Sequence, residues 1–510
     1  MQSKHHTYRT PLHVNPVDRF DQKTVRSIHH ASMMLLSETG IKCAGIRAAD
    51  AYRQGGCSVT REGEGKNTLW RVRFQEKQLM KMLKEVPPKI ILGARNPSNR
   101  LILDSQTPAV YFGTGSESNI YLRSAMDRFV SSGKAKREMT YPVFTEETGS
   151  ISALCESAHL TEHLSHADFF LRNVNIQDDF ITSKNKDIHV FYSALLHTSK
   201  HVQSGLTDPD ALHRVIRLAE IIGGSQKYLP ISFIVCPMKS PMQMVADSSE
   251  KLIVIAKERI PLVISSSPQG GSTAPIQEEG MLAQINAEIL AGIALAQCIS
   301  SGTPVLYGSV PVRSRLDNLH DCYGAPEFIH YAMGCAQMAR FYGIPCYASA
   351  GVSDAKRPGL QAIMEKVYSY IQVASSGAQY IHYALGLLDG TNMFSPLQAV
   401  IDNASIGLVK HILREPICSQ QSIDAAVDEI KNTTARSGIF AKGIRTQIRK
   451  HIVCDTYEFI SDSGEEDPVF TQAHYKLDQY LAAQRLGLPK EVMQAVCEEF
   501  PELSGTHIYE

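Results

Sequence analysis

The sequence predicts an α/β fold, a (β/α)8 TIM-type barrel. Three observations favour it: from about residue 109 short apolar runs alternate with helical patterns, eight such runs follow one another, and several helical patterns end in Gly just before the next run. This alternation is typical of consecutive βα units in a parallel sheet, and a Gly at that position caps a helix. An open, doubly wound sheet is the structural alternative.

The chain of 510 residues divides into three predicted regions. Residues 1–108 form an N-terminal α+β extension, in which helical patterns at 22–39 and 75–84 flank a hairpin-like segment, CSVTREGEGKNTLWRVRF. Residues 109–414 hold the barrel, and residues 415–510 form a mainly helical C-terminal region. The length suits this division, because barrels need roughly 250 residues and tolerate additions.

The eight predicted strands are short, and most are strongly apolar. The third is weakly apolar, and a long insertion, SESNIYLRSAMDRFVSSGKAKREMTYPVF, separates the first strand from the second. In order they are AVYFG (109–113), ADFFLR (167–172), KHVQS (200–204), PISFIVC (230–236), PLVISSS (261–267), PVLYGS (304–309), PCYASA (345–350) and QYIHYAL (379–385).

Composition excludes several classes of function. The formal net charge of -1 gives no basic surface for nucleic acid or anionic lipid. The 11 cysteines form no CxxC pair, which favours reduced thiols in a cytoplasmic protein, and the N-terminus has no apolar core for a signal peptide. The most apolar run, Ile285 to Ile299, is interrupted by Asn286, Glu288 and Gln297, so we expect a buried helix.

One motif suggests a metal site. His159, Glu162 and His163 match HxxEH, a pattern that places two histidines on one helix face for zinc with a glutamate as base. The motif precedes the second predicted strand, however, at the N-terminal mouth of the barrel, where residues usually serve stability. No obvious third ligand helix follows. We therefore expect no metal in this chain.

Chemistry in such a barrel belongs at the C-terminal strand ends. Aromatic side chains are frequent there and are typical of a cage for a quaternary ammonium ion, each good ring face contributing about 0.5 to 2 kcal/mol. Filling the barrel core is the alternative role of each ring. The candidates are Tyr111, Phe112, Phe233, Tyr307, Tyr347, Tyr380, His382 and Tyr383.

The loop SSSPQGGSTAPIQEEG, residues 265–280, joins the fifth strand to a long helix. A glycine-rich turn at a helix N-terminus is suited to an anion, because free N–H groups and the helix dipole point the same way. Barrel phosphate sites commonly follow strands seven and eight, so we expect a substrate carboxylate here. The candidate residues are Gln269, Gly270, Gly271, Ser272 and Thr273.

The order of several motifs resembles the trimethylamine methyltransferase family. The motifs are GGSTAP, AQINAEILAGIALAQ, SGTPVLYGS, GAPEF, QMARFYGIP, DAKRPGLQAIMEK and GAQYIHYALGLLDG. The chain contains only standard residues, so it resembles the members without pyrrolysine, including glycine betaine methyltransferase. This resemblance implies demethylation of a quaternary amine, with transfer of the methyl group to cob(I)alamin on a partner corrinoid protein, and a homo-oligomeric enzyme.

That chemistry needs few ionisable groups, because a quaternary ammonium releases a neutral tertiary amine without a general acid. Catalysis then depends on positioning and electrostatics, and we predict no acid or base residue. The chain lacks a corrinoid-binding DxHxxG motif, so we expect the partner to carry the cofactor. Three alternatives stay open: the same reaction on proline betaine or carnitine, a non-catalytic betaine-binding protein, and a zinc hydrolase.

Overall fold

A curled sheet of nine strands lies at the centre of the protein. The computed structural model describes residues 8–65, 68–130, 138–224, 228–416, 418–436, 438–440, 457–459, 468–504 and 509. Eight strands of the sheet are parallel, and each lies where the sequence predicts a strand. The ninth, Leu12–His13, pairs antiparallel with the first parallel strand.

A helix follows each parallel strand before the next one begins, as the alternating pattern predicts. The strands are β1 (Ala109–Phe112), β2 (Phe169–Leu171), β3 (His201–Ser204), β4 (Ile231–Val235), β5 (Leu262–Ser266), β6 (Val305–Ser309), β7 (Cys346–Ser349) and β8 (Tyr380–His382). The helices are α1 (Ile151–His163), α2 (Lys186–His197), α3 (Leu212–Gly223), α4 (Ala246–Lys257), α5 (Glu278–Ile299), α6 (Pro326–Tyr342), α7 (Leu360–Ser375) and α8 (Pro396–Leu413).

The strands run in sequential order around the sheet, without the reversal of a doubly wound fold. Strand β1 pairs with β8 on one side, and β2 to β8 follow in order from the other. The two ends also touch: Gly113 forms a parallel bridge with Phe169, and the Asp168 N–H donates to the Phe112 carbonyl at 2.6 Å. These contacts join β1 to β2 at the two ends of the curled sheet.

Helix α5 is, among the described residues, the one helix long and apolar enough to cross a membrane by length and composition. Inside the protein, however, 89% of its most apolar window is buried. The polar residues that interrupt it have internal partners: Glu288 accepts from the Ser240 hydroxyl at 2.7 Å and the Met242 N–H at 2.9 Å. The predicted buried helix is confirmed.

The N-terminal extension packs against the helices around the sheet. Its helices are Gln22–Met34, Ile46–Gln54 and Glu76–Lys84, and its strands are Ile41–Cys43, Ser58–Glu62, Leu69–Arg73, Lys89–Leu92 and Leu101–Asp104. The predicted hairpin is confirmed, since Ser58 pairs with Arg73 and Glu62 with Leu69. The strands Ile41–Cys43, Leu69–Arg73 and Ser58–Glu62 form one sheet with Met238–Lys239 and Gln243–Met244, which lie in the loop after β4. The extension is therefore joined to the rest of the fold.

The remaining elements are insertions and the C-terminal helices. The long insertion after β1 forms an antiparallel hairpin, Ile120–Val130 with Glu138–Thr148. Short strands lie in the loops beyond β5, β6 and β8: Gln269–Gly270, Val312–Ser314, Asp321–Cys322, Leu387–Leu388 and Met393–Phe394. The described part of residues 415–510 contains the helices Gln420–Ala435, Pro468–Ala482 and Lys490–Glu499.

The hairpin Lys89–Leu92 with Leu101–Asp104 closes the amino-terminal side of the inner face. Its buried apolar side chains join the same cluster as Phe169. His201, the first residue of β3, fixes it: Nδ1–H donates to the Gly93 carbonyl at 2.6 Å, and Nε2 accepts from the Ser232 hydroxyl at 2.7 Å. Burial lowers the pKa of His201 to about 4. The imidazole is therefore neutral near pH 7.

We expect His201→Asn to flatten the dependence of stability on pH. The ordinary histidine pKa is 6.5 and the folded value is about 4, so between these values the unfolded state binds the extra proton. The contribution of the neutral imidazole to the free energy of unfolding is fully present above pH 6.5. It decreases by up to about 3 kcal/mol as the pH falls towards 4. Urea unfolding at pH 7.5 and 4.5 measures the difference.

The control is the exposed His13→Asn, which should leave the difference between the two pH values unchanged. For each variant, the change in unfolding free energy between pH 7.5 and 4.5 is compared with that of the wild type. This difference is used because the loss of the His201 hydrogen bonds also lowers stability at pH 7.5. An unaltered slope in His201→Asn would contradict the assignment of a neutral buried imidazole.

Candidate functional site

Five aromatic side chains follow one another in contact along the inner face towards the carboxyl ends of the strands. We call them the aromatic column: Phe169 of β2, Tyr347 of β7, Tyr380 and His382 of β8, and Tyr383 after it. Ring centroids are 3.6 Å apart for Phe169 and Tyr380 and 5.7 Å for Tyr380 and Tyr347. They are 4.0 Å apart for Tyr347 and His382 and 3.7 Å for His382 and Tyr383.

The other predicted cage residues lie elsewhere. Tyr111 faces inward but towards the amino-terminal hairpin, where its hydroxyl accepts from the Ile102 N–H at 3.3 Å. Phe112, Phe233 and Tyr307 belong to the core between sheet and helices, and the Tyr307 hydroxyl donates to Asn286 Oδ1 at 3.0 Å. Successive strand residues face opposite sides of a sheet, so the structure does not bring these three rings to the aromatic column.

Tyr383 has a backbone conformation that aromatic residues rarely adopt. Its φ is 68°, in the left-handed region, where a bulky side chain is strained by about 1 to 3 kcal/mol. The conformation is held by hydrogen bonds of the Tyr383 and Ala384 N–H groups to the carbonyls of Thr114 and Gly113 at 3.3 and 3.0 Å. The ring thereby contacts both the inner-face cluster and the cluster of Tyr323 above it.

His382 contributes a neutral ring to the column. Its side chain is fully buried, Nε2 lies 2.7 Å from Ser349 Oγ, and Nδ1 has no hydrogen-bond partner within the described residues. Burial holds the pKa of His382 well below its usual range. A neutral imidazole stacked on Tyr347 can lie near a cation without repelling it.

A cavity of about 510 Å³ opens at the carboxyl ends of the strands, a volume that suits a small-molecule site. It lies between the loops that follow β6, β7 and β8. Three carboxylates, Asp321, Asp354 and Asp389, line it together with Tyr323. Three basic side chains, Arg315, His320 and Lys356, line the same cavity.

A larger cavity, about 900 Å³, lies at the opposite edge and is lined by Arg9, Asp168 and Lys410. Its charges already pair with one another: Asp168 is 2.8 Å from Arg9 Nε and 3.0 Å from Lys410 Nζ. This edge carries the amino ends of the strands, where a parallel α/β fold does not bind its substrate. We therefore place the candidate site at the smaller cavity.

The predicted anion loop uses its donors internally. The Gly271 N–H donates to the Ala274 carbonyl at 2.9 Å, and the Ser272 and Thr273 N–H groups donate to the Gln269 carbonyl at 3.0 and 2.9 Å. The helix α5 that follows begins with two glutamates, Glu278 and Glu279, which disfavour an anion at its N-terminus. These contacts disfavour a substrate carboxylate at this loop, and the predicted carboxylate site stays a prediction.

The side chain of Gln269 instead points towards the cavity. Its Nε2 donates to Asp321 Oδ1 at 2.7 Å and to the Leu319 carbonyl at 2.9 Å. Gly270 continues the short strand, which pairs in parallel with Val312–Ser314. The loop thus holds a carboxylate of the protein itself at the edge of the site.

The HxxEH motif lies on α1, away from the cavity, and its side chains serve packing. Glu162 accepts from the Ser199 N–H at 2.8 Å and from the Thr198 hydroxyl at 2.7 Å. His159 Nε2–H donates to the Tyr480 carbonyl at 3.0 Å, and His163 stacks on the Tyr480 ring. The motif therefore connects α1 to the C-terminal helix Pro468–Ala482.

Sequence reasoning missed Asp321 and Cys236. Cys236 follows β4 and is an exposed residue. Burial is the main cause that raises the pKa of Tyr347 and of Tyr383, and charge on the Cys236 thiol raises both further, which indicates that the thiol lies near these rings. Its position at the end of a predicted strand was the available signal, but a lone cysteine carries no motif.

Comparison with known proteins gives a consistent result over most of the chain. The family model described as trimethylamine methyltransferase (MTTB) matches residues 2–449. The chain is 27% identical over 444 residues to trimethylamine methyltransferase MttB of Desulfitobacterium hafniense, covering 85% of this chain and 83% of that protein. It is 28% identical over 414 residues to MttB of Methanosarcina thermophila, covering 79% and 80%. It is 24% identical over 393 residues to a glycine betaine methyltransferase of Desulfitobacterium hafniense, covering 76% of each.

We expect a small quaternary ammonium ion to protect Cys236 from alkylation. An ion seated on the ring of Tyr383 shields the neighbouring thiol, so saturating tetramethylammonium should slow iodoacetamide labelling of Cys236 several-fold at pH 8.5. Mass spectrometry of peptides measures the rate. Cys418, exposed on the C-terminal region, is the internal control, and equal slowing at both thiols, or at neither, would contradict this location of the site.

Proposed function

The chain belongs to the trimethylamine methyltransferase family, and we propose that it demethylates a quaternary amine and passes the methyl group to cob(I)alamin on a separate corrinoid protein. Glycine betaine, which leaves as dimethylglycine, is the first candidate substrate; proline betaine and carnitine are the alternatives. The observation that carries the proposal is the aromatic column, which ends in Tyr383; this ring packs against the cluster of Tyr323, and Tyr323 lines the cavity.

The residues of the site suit a trimethylammonium group better than a primary amine. Tyr383, the last ring of the column, is half-buried and offers a ring face, and His382 is neutral because it is buried. Such a surface attracts the diffuse charge of methyl groups through cation–π contact. A primary ammonium ion needs hydrogen-bond acceptors for its three donors, and the column offers few.

Electrostatics and positioning account for what the chain contributes to the reaction. Cob(I)alamin supplies, when bound, the nucleophile for in-line attack on a methyl carbon. As the carbon–nitrogen bond breaks, its electron pair stays on nitrogen and the tertiary amine leaves uncharged. No side chain has to donate a proton, so the column needs only to orient one methyl group towards the open cavity.

The rim of the cavity suits a cofactor that arrives on another protein. Leu316 is 76% exposed and Leu319 is 56% exposed, and both lie on the loop that carries Asp321. Large exposed apolar side chains beside a cavity are typical of a protein contact surface. We assign them to the contact with the corrinoid protein, which must cover this edge to bring its cofactor to the substrate.

We also interpret the curled sheet as a closed (β/α)8 barrel. The support is the sequential strand order, the pairing of β1 with β8 and the bridge between Gly113 and Phe169. Closure leaves the carboxyl edge as the place where substrate enters, which agrees with the usual location of sites in such barrels.

A direct test mixes the purified chain with cob(I)alamin and a panel of methylated amines. We expect glycine betaine to produce methylcob(III)alamin, followed by its absorbance, because the site orients a quaternary nitrogen. Trimethylamine, which is protonated but tertiary, should react far more slowly. Absence of methylation from every quaternary amine, with substrate binding retained, would instead favour a non-catalytic binding protein.

Tyr383→Leu should weaken binding of glycine betaine by roughly 2- to 30-fold, which corresponds to the loss of one cation–π face. Tyr383→Phe keeps the ring and should retain affinity. The matched control is Tyr307→Phe, which removes a hydroxyl hydrogen-bonded to Asn286 on the outer face. Calorimetry measures the three affinities; a greater loss in Tyr307→Phe than in Tyr383→Leu would disprove the assignment of these rings.

A further inference from the structure

We infer that the helix Gln420–Ala435, which we call the outer helix, pairs antiparallel with the same helix of a second copy of this chain. The inference concerns a surface other than the cavity at the carboxyl ends of the strands, and it does not depend on the proposed function. Three observations carry it: an exposed apolar stripe along the helix, the order of charges beside that stripe, and the place where the chain enters the helix.

The outer helix has a well-formed start but is not buried by the described part of the chain. Ser419 and Ser422 make a capping box: the Ser422 N–H donates to Ser419 Oγ at 3.1 Å, and the Ser419 N–H donates to Ser422 Oγ at 2.9 Å. The structure describes all 16 residues of the helix, and none of them is buried. An isolated helix of this length is marginal in water, because packing of an apolar face supplies most helical stability. The outer helix therefore needs a partner beyond the described residues of its own chain.

An apolar stripe runs along one side of the outer helix. Ile423, Val427 and Ile430 are 45%, 41% and 53% exposed, and their spacing of four and three residues places them on one helix face. Large exposed apolar side chains are concentrated in this segment of the chain: Ile412, Ile423, Val427, Ile430, Ile439 and Phe440. Exposed apolar patches of this kind mark surfaces for association.

Two opposite charges lie on one flank of the stripe. Asp424 and Lys431 are close to two full turns apart, so both side chains project from the same side of the helix, about 10 Å apart along its axis. Asp424 accepts from the neutral amide of Gln420 at 2.9 Å, a contact that leaves its charge unbalanced. Lys431 Nζ is 3.9 Å from Asp428 Oδ1, but both side chains are 73% exposed, and such a surface pair contributes little to stability. The Lys431 amine is therefore available to a second chain.

Two-fold symmetry brings these charges together. In an antiparallel pair of identical helices, each flank faces the same flank of the other helix, and every contact between two different residues occurs twice. Asp424 of one copy then lies opposite Lys431 of the other, and Lys431 of the first lies opposite Asp424 of the second. In a parallel pair this flank faces the opposite flank, so the two residues do not meet. The charges favour the antiparallel arrangement.

The apolar stripe and the charged residues require the same register. The stripe from Ile423 to Ile430 is centred just before Val427, and the interval from Asp424 to Lys431 is centred just after it. A two-fold axis near Val427 therefore brings Ile423 to Ile430 and Asp424 to Lys431 at once. An unrelated partner need not follow this symmetry, so the coincidence favours a second copy.

The chain enters the outer helix at the amino edge of the sheet. Helix α8 follows β8 and ends at Leu413, and the next residues, Arg414 and Glu415, line the larger cavity at that edge. The outer helix begins soon after, at Gln420. A corrinoid protein has to reach the carboxyl edge, on the opposite side, so its contact does not require this helix. The position also favours a second copy as the occupant.

Sedimentation equilibrium of the full chain at micromolar concentration tests the contact. We expect the wild type to have at least twice the mass of one chain. Val427→Glu should halve the mass of the assembly, because it places like charges on both sides of the two-fold axis. The matched control is Asn432→Glu, which adds the same charge at an exposed position on the side of the helix away from the stripe and should keep the wild-type mass.

An exchange of charges tests the antiparallel register. Asp424→Lys and Lys431→Asp should each raise the dissociation constant of the pair several-fold, because like charges then face each other twice. An equimolar mixture of these two variants should return the dissociation constant to the wild-type value, since every lysine again faces an aspartate. Both substitutions are at exposed positions, so we expect the fold of each variant to be retained.

Three results would overturn the inference. A wild type with the mass of one chain at every concentration shows that the outer helix is covered by a different partner or by another segment of its own chain. An assembly of unchanged mass in Val427→Glu shows that the copies meet elsewhere. If Val427→Glu dissociates the assembly but the mixture of charge variants associates no more tightly than either variant alone, the antiparallel pairing is wrong.

Discussion

The inner face of the curled parallel sheet must be filled, and the side chains that fill it determine where a ligand can bind. Protein interiors are packed almost without voids. The hairpin of Lys89–Leu92 and Leu101–Asp104 fills the amino-terminal half, and stacked rings from Phe169 to Tyr383 fill the other half. The cavity at the carboxyl ends of the strands lies next to the cluster of Tyr323, against which the last ring of the column, Tyr383, packs.

A buried ion pair holds the loops around that space. Lys366 Nζ lies 3.0 Å from Asp402 Oδ2 and donates to the Gly351 carbonyl, while Asp402 accepts from the Gly386 N–H at 2.7 Å. The two glycines follow β7 and β8. Breaking such a pair by removing one partner typically destabilises a protein by about 3 to 5 kcal/mol. This rigid support allows Tyr383 to keep its strained conformation.

The sequence predicts the architecture well because strand and helix patterns are local. All eight parallel strands, the buried helix α5 and the hairpin of Ser58 to Arg73 follow from it. Sequence patterns do not fix which side of a short strand faces inward. They therefore could not show that Tyr347 lies on the inner face of the sheet while Tyr307 packs against the helices. Asp321 was missed because its environment depends on pairing with loops distant in sequence, and the loop at Gln269 resembled an anion site whose donors the fold uses internally.

The charge on the substrate changes during the proposed reaction, and this determines how strongly the site should hold it. Positive charge leaves the nitrogen as its bond to the methyl group breaks, so cation–π contacts stabilise the bound substrate more than the transition state. A neutral His382 within the column keeps this excess small. The tertiary amine is uncharged at the moment it leaves and has then lost the cation–π attraction. The groups that select the substrate therefore also favour release of the product, without any movement of the fold.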